Sequence, residues 1–159
     1  MWLWQDIDHF AFNVSERIRG SEDFRNEAQF ASVAADLALR AERQVEKCRH
    51  QFPDLQAAAN YLMAQPVRPG WFWEPWNAGV AAGLVGDAST ARDRFAAVLA
   101  EDPIAPWMHD AQETTRELLD LVGNRDAVRS WAMNRIASCR ERLDLDVRDD
   151  LNMALGCKP

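Results

Sequence analysis

The chain has 159 residues, 48% of them hydrophobic and 27% charged, with a formal net charge of −7. That length fits one compact domain or a short stack of helical repeats, and that balance excludes the low-hydrophobicity, high-charge regime of disordered chains. The excess of acid also speaks against nucleic-acid binding, whose electrostatic footprint is a basic stripe.

Helical periodicity dominates, and no run of alternating β-branched residues reads as a strand. From the N-terminus, Leu3, Ile7, Phe10, Val14 and Ile18 recur at the spacing of one helix face, ended by Gly20. The stretch before it has neither the basic leader nor the apolar core of a signal peptide. Ser21, followed by Glu22 and Asp23, is the expected N-cap of a long second helix, where carboxylates favour the positive end of the dipole. Phe30, Ala34, Leu37, Ala41, Val45 and Cys48 give it an apolar stripe broad enough to predict packing on two sides.

Pro53 breaks that helix and Asp54 is placed to cap a short third one through Leu55, Ala58, Ala59 and Leu62, which Pro66 ends. Val67-Arg68-Pro69-Gly70 is a turn-rich linker. It divides an N-terminal helical region, residues 1–66, from helical hairpins over residues 67–159, with one core shared between them.

The second part repeats itself. Leu84-Val85-Gly86-Asp87 recurs as Leu121-Val122-Gly123-Asn124, displaced by 37 residues, and the same displacement carries Ala91-Arg92 onto Val128-Arg129. A period of that length signals stacked supersecondary units. Each unit is an apolar helix, a Gly-Asp or Gly-Asn turn with glycine in left-handed geometry, and a second amphipathic helix. In the second unit Trp107, Ala111, Leu118 and Val122 form one expected core stripe, and Val128, Ala132, Ile136, Cys139 and Leu143 the next.

The first unit resembles a tetratricopeptide repeat. Gly79 stands at the small position of its first helix, Ala91 and Phe95 at the small and aromatic positions of its second, and Pro103 at the closing proline. Pro75 and Ala82 stand where the family has aromatics, with Trp76 one place late. The second unit departs further, with Arg116 at the small position and Arg140 at the proline. The resemblance covers residues 72 to about 143 and implies an all-α fold of antiparallel hairpins, about seven helices in all. It also implies a partner-binding surface on the first helix of each unit, at Trp73, Trp76 and Val80, and at Asp110, Glu113 and Glu117.

The local chemistry agrees with a basic partner. Between residues 74 and 124 acidic residues outnumber Arg92, Arg94 and Arg116, whereas residues 125–142 hold five arginines against Asp126 and Glu141. Asp110, Glu113 and Glu117 share one helix face by spacing alone. Trp71, Phe72, Trp73 and Trp76 are too dense for all of them to point inward from one turn, and tryptophan is a common interface anchor.

No apolar run reaches the roughly 20 residues that cross a bilayer. Cys48, Cys139 and Cys157 form an odd set without metal or disulfide spacing, consistent with a reducing cytoplasm. Asp6, Asp8 and His9 diverge on a helix, and no histidine pair stands at i, i+4, so no metal is expected. His50 and His109 have no nucleophile or acid partner in sequence, and no nucleophile elbow or phosphate-binding glycine loop occurs, so neither catalysis nor a cofactor is expected. The readings left open are an immunity or antitoxin-type protein that neutralises a basic toxin, an adaptor or chaperone for a secreted protein, and a small helical enzyme built on carboxylates.

Overall fold

The structure is a computed structural model that describes residues 3–5 and 20–145. Among these the protein is all-helical, with a 3₁₀ turn at Leu3–Gln5 and six α-helices: α1 (Glu27–Gln51), α2 (Leu55–Met63), α3 (Trp73–Val85), α4 (Ala88–Ala100), α5 (Pro106–Leu121) and α6 (Arg125–Arg142). The expected stripe through Ile7, Phe10, Val14 and Ile18, the Asp6-Asp8-His9 group and Cys157 lie outside the described residues. The chain divides into two compact units, one of Val14–Pro53 and the other of Met1–Asn13 with Asp54–Pro159. The turn-rich segment Val67-Arg68-Pro69-Gly70 lies within the larger unit, where α2 packs on α3 through Ala59 and Leu62 against Ala78 and Ala81.

In the smaller unit, α1 starts five residues later than Ser21 predicts. Asn26 is the cap: its Oδ1 accepts from the Gln29 amide at 2.9 Å, while Gln29 Oε1 accepts from the Arg25 amide at 3.2 Å. A cap with glutamine at its third following position is satisfied in both directions. Ser21 has Phe24 there, which returns nothing. No residue of α1 is buried, and Phe30, Leu37 and Val45 of its stripe are exposed, contrary to the packing on two sides that the sequence implies.

The larger unit is organised around α3, which packs against α2, α4 and α6. Every residue from Pro75 to Leu84 is buried. Such all-round burial needs close approach, and small side chains supply it. A Cβ on Gly79 would stand 2.5 Å from Cε1 of Phe95 on α4, and one on Gly83 would stand 3.2 Å from Cγ1 of Val128 on α6. Ala91 and Phe95 are fully buried on the face of α4 that meets α3, and the stripe of Val128, Ala132, Ile136 and Cys139 is buried on α6.

The turn after α3 has the left-handed glycine that the sequence predicts. Gly86 has φ 90°, and the Asp87 amide donates back to the Ala82 carbonyl at 2.9 Å. The Asp87 carboxylate then caps α4 by accepting from the Thr90 amide at 3.0 Å and the Thr90 hydroxyl at 2.7 Å. These two bonds, the amide first, hold its carboxyl below the usual range. The second turn keeps the cap and loses the glycine geometry. Asn124 Oδ1 accepts from the Asp126 and Ala127 amides at 3.1 and 3.2 Å, but Gly123 takes no positive φ, and Val122 before it ends α5 in right-handed conformation. With no proline at position 140, α6 runs on to Arg142.

Helix C-termini are tied by side chains from later helices. Arg94 of α4 donates to the carbonyls of Met63, the last residue of α2, and of Gln65 just after it, Arg125 of α6 to Leu84 of α3 at 3.0 Å, and Gln112 of α5 to Val98 of α4 and Glu101 just after it at 3.2 and 2.8 Å. Each adds a side-chain donor at a helix C-terminus, where carbonyls run short of intrahelical partners, and two of the three place a cation at a negative dipole end.

Gly79→Ala is expected to destabilise the protein by about 1–3 kcal/mol in denaturant titration, because overpacking against the buried Phe95 ring outweighs the gain in helix propensity; Phe95→Leu added to it recovers part of the loss. Asp87 contributes stability that is full above its unfolded-state pKa and is lost as pH falls through the lower folded value. Asp87→Asn, which keeps the acceptor but not the charge, is expected to flatten the acid limb of the stability profile.

Candidate functional site

The aromatic cluster gathers at the N-terminal ends of α3 and α5. Pro75 is tolerated in the first turn of α3, where its missing amide proton has no partner to lose, and Pro106 opens α5 in the same way. Side chains of a helix lean toward its N-terminus. Trp73 and Trp107 thus overhang the starts of their helices and meet, rings 5.4 Å apart and only 16° from parallel. Phe72 stands edge-on to both Trp73 and Trp107 at 5.4 Å, and Trp76 edge-on to Trp73 at 5.4 Å. Trp131 of α6 closes the inner side, 6.1 Å from Trp76.

Beside this cluster lies a cavity of about 260 Å³, lined by Gln5, Trp73, Trp76, Trp107, Asp110, Ala111, Thr114 and Arg135. Trp107, Asp110, Ala111 and Thr114 stand at i, i+3, i+4 and i+7 and form one strip of α5. Arg135 comes from α6 and has its guanidinium 5.2 Å from the Trp131 ring. A larger open hollow of about 540 Å³ is lined by Met63, Val67, Asp87, Thr90, Asp93 and Arg94. There Asp87 and Thr90 are engaged in capping and Arg94 in binding the Met63 and Gln65 carbonyls, so its polar groups hold the fold.

Of the six residues expected to bind a partner, three come together. Trp73, Trp76 and Asp110 line the smaller cavity. Val80 is 0% exposed and lies in the core, because α3 is covered on every side and has no outward face at that position. Glu113 and Glu117 are exposed, as Asp110 is, yet do not line the cavity. The buried face of α5, set by Met108, Ala111, Gln112, Thr115 and Leu118, leaves those two pointing outward.

Trp107 is the residue that sequence reasoning misplaced. Its i, i+4 relation to Ala111 puts it in a core stripe, but it is 46% exposed, whereas Trp76 is 1% exposed. Trp107 sits in the first turn of α5, where no earlier turn covers the ring. Trp71 is also exposed, at 52%, with the Arg68 guanidinium 3.8 Å from its ring centre. Arg135 and Gln5 had no local signal, since what brings them to the cavity is the contact between the N-terminal turn and α6.

Among the described residues no group of three His, Cys, Asp or Glu side chains is placed to hold a metal ion, and His50 and His109 are exposed. No helix there is long and apolar enough to cross a membrane. The site presents the half-exposed Trp107 indole, the partly buried Trp73 indole stacked on it, the exposed Asp110 carboxylate, and the buried Trp76 and Ala111.

The two tryptophans are expected to separate in stability measurements. Trp76→Ala, which empties the core, costs about 3–5 kcal/mol. Trp107→Ala loses only its ring contacts with Trp73 and Phe72, about 1 kcal/mol. Equal losses would place Trp107 in the core after all. The chain matches no family model, no curated protein and no solved structure.

Proposed function

We propose that the protein is a protein-binding module in which the hairpins α3–α4 and α5–α6 form a tetratricopeptide-like pair, and that it grips a basic side chain of its partner. The observation that carries this reading is the Trp73–Trp107 stack, part of it exposed, next to the solvated Asp110 carboxylate. Indole faces attract guanidinium and ammonium groups, and an adjacent carboxylate adds a charge-assisted hydrogen bond. Glu113, Glu117 and Asp120 extend the negative field along α5 and steer a basic partner toward that end. The pairing of Gly79 with Phe95, and of Ala91 beside it, supports the tetratricopeptide-like reading of the first hairpin.

Within that class the role that suits a small, acidic helical chain is neutralisation of a basic toxin or effector, in the manner of an immunity or antitoxin protein. Service as an adaptor or chaperone for a secreted protein would use the same face. The three cysteines form an odd set without disulfide spacing, which supports action in a reducing compartment such as the cytoplasm. Rescue of growth on co-expression with a toxin supports neutralisation, and capture without rescue supports the adaptor role.

Trp107→Ala and Asp110→Lys are each expected to weaken partner binding by about 30-fold or more, through faster dissociation, while helicity is kept. Glu113→Lys with Glu117→Lys instead slows association and reduces its dependence on salt. A partner that binds Trp107→Ala and Asp110→Lys as tightly as the parent protein overturns the assignment of the face.

A further inference from the structure

The N-terminal 3₁₀ turn is held as a bound peptide is held. Trp4 is 7% exposed, and its indole N–H donates to Asn77 Oδ1 at 3.0 Å. Gln5 Nε2 donates to the same oxygen at 3.3 Å. From the other side, Arg135 Nε donates to the Trp4 carbonyl at 3.2 Å and Arg135 Nη2 to the Gln5 carbonyl at 3.5 Å. Two side chains, one on α3 and one on α6, thus read two successive backbone carbonyls and two successive side-chain donors.

Asn77 is the informative member. It is fully buried in a helix whose neighbouring buried positions are apolar, and its Nδ2 has no hydrogen-bond partner. A buried amide costs about 1–3 kcal/mol when a donor is left unsatisfied, so an apolar residue would serve packing better. What the amide supplies is discrimination: an acceptor at that depth takes an indole N–H and rejects a phenyl ring, which leaves it unpaired. Gln5 and Arg135 also line the aromatic cavity, so the seat of the dipeptide opens directly onto it.

We propose that Asn77 and Arg135 form a peptide-binding seat for a tryptophan followed by a residue with a side-chain N–H donor, filled in cis by Trp4–Gln5 and open in trans to a tryptophan-bearing segment of a partner protein. The cis segment is a tethered competitor. Being part of the same chain gives it an effective concentration that a free peptide must exceed, so a free peptide meets a closed seat until the turn leaves. The seat stands independently of the basic-anchor reading, since it uses neither the Trp73–Trp107 stack nor Asp110.

The test uses the full chain and a blocked tetrapeptide, Leu-Trp-Gln-Asp, with Leu-Phe-Gln-Asp as control. Trp4→Ala is expected to bind the tryptophan peptide at least about tenfold more tightly than the parent protein does, and to ignore the phenylalanine peptide. Arg135→Lys in the same background weakens that binding, because an ammonium does not present the guanidinium's fork to two carbonyls. Helical Trp4→Ala that binds neither peptide, or both equally, overturns the proposal. Should Trp4→Ala lose its helicity, the indole N–H signal of Trp4 in the parent protein is followed by NMR under peptide in several-fold excess over the effective concentration. Movement of that signal to the free position supports the seat, and an unmoved signal overturns it.

Discussion

The approach of α4 to α3 at Gly79 is the contact on which the rest of the larger unit depends. Phe95 fills the space that a side chain at Gly79 would occupy, and this lets a helix buried from Pro75 to Leu84 be covered by α4 on one side while α2 and α6 cover others. Because interiors pack at near-crystalline density, a helix enclosed in this way has little freedom to rotate or slide. The first turn of α3, which carries Trp73 and Trp76, is positioned by that enclosure. The half-exposed Trp107 and the partly buried Trp73 are held by the Phe72 and Trp76 rings behind them instead of by loops.

Polar contacts finish the job that apolar packing begins. Arg94, Gln112 and Arg125 bind carbonyls at the ends of α2, α4 and α3, tying α4 to α2, α5 to α4 and α6 to α3. Each bond is worth only about 1 kcal/mol net, but its loss would strand a carbonyl and cost more. Arg135 differs from these three. Its partners are carbonyls of a short turn near the start of the chain, and it also faces the aromatic cavity. One guanidinium therefore links the N-terminal turn to the aromatic cavity.

Much of the fold was legible because it is written in local chemistry. Asp54, Asp87 and Asn124 announce helix starts through short side chains that accept from amides two or three residues on, and Gly86 announces a stop through its left-handed φ. The start of α1 was misread at Ser21 because the reciprocal bond that the Arg25 amide donates to Gln29, which favours Asn26, needs a look three residues beyond each candidate cap. The site was only partly legible. Periodicity locates a helix's outward face when one face is wet, and α3 has none over Val80, so a position inferred from the tetratricopeptide resemblance fell in the core. Trp107 fell on the opposite side of the same error: spacing assigned it inward, whereas its place at a helix start leaves the ring uncovered. Arg135 was invisible in principle, since its role comes from a contact spanning about 130 residues of chain.

The central claim is that Trp73, Trp107 and Asp110 together recognise a cation. The most direct measurement is an NMR titration of the tryptophan indole signals with a blocked arginine tripeptide and with its citrulline counterpart, which keeps the shape and removes the charge. The account predicts saturable shifts of Trp73 and Trp107 with the arginine peptide, no change at the inner Trp131, and no response to citrulline. Silence at Trp73 and Trp107, or the same shifts with citrulline, would contradict it.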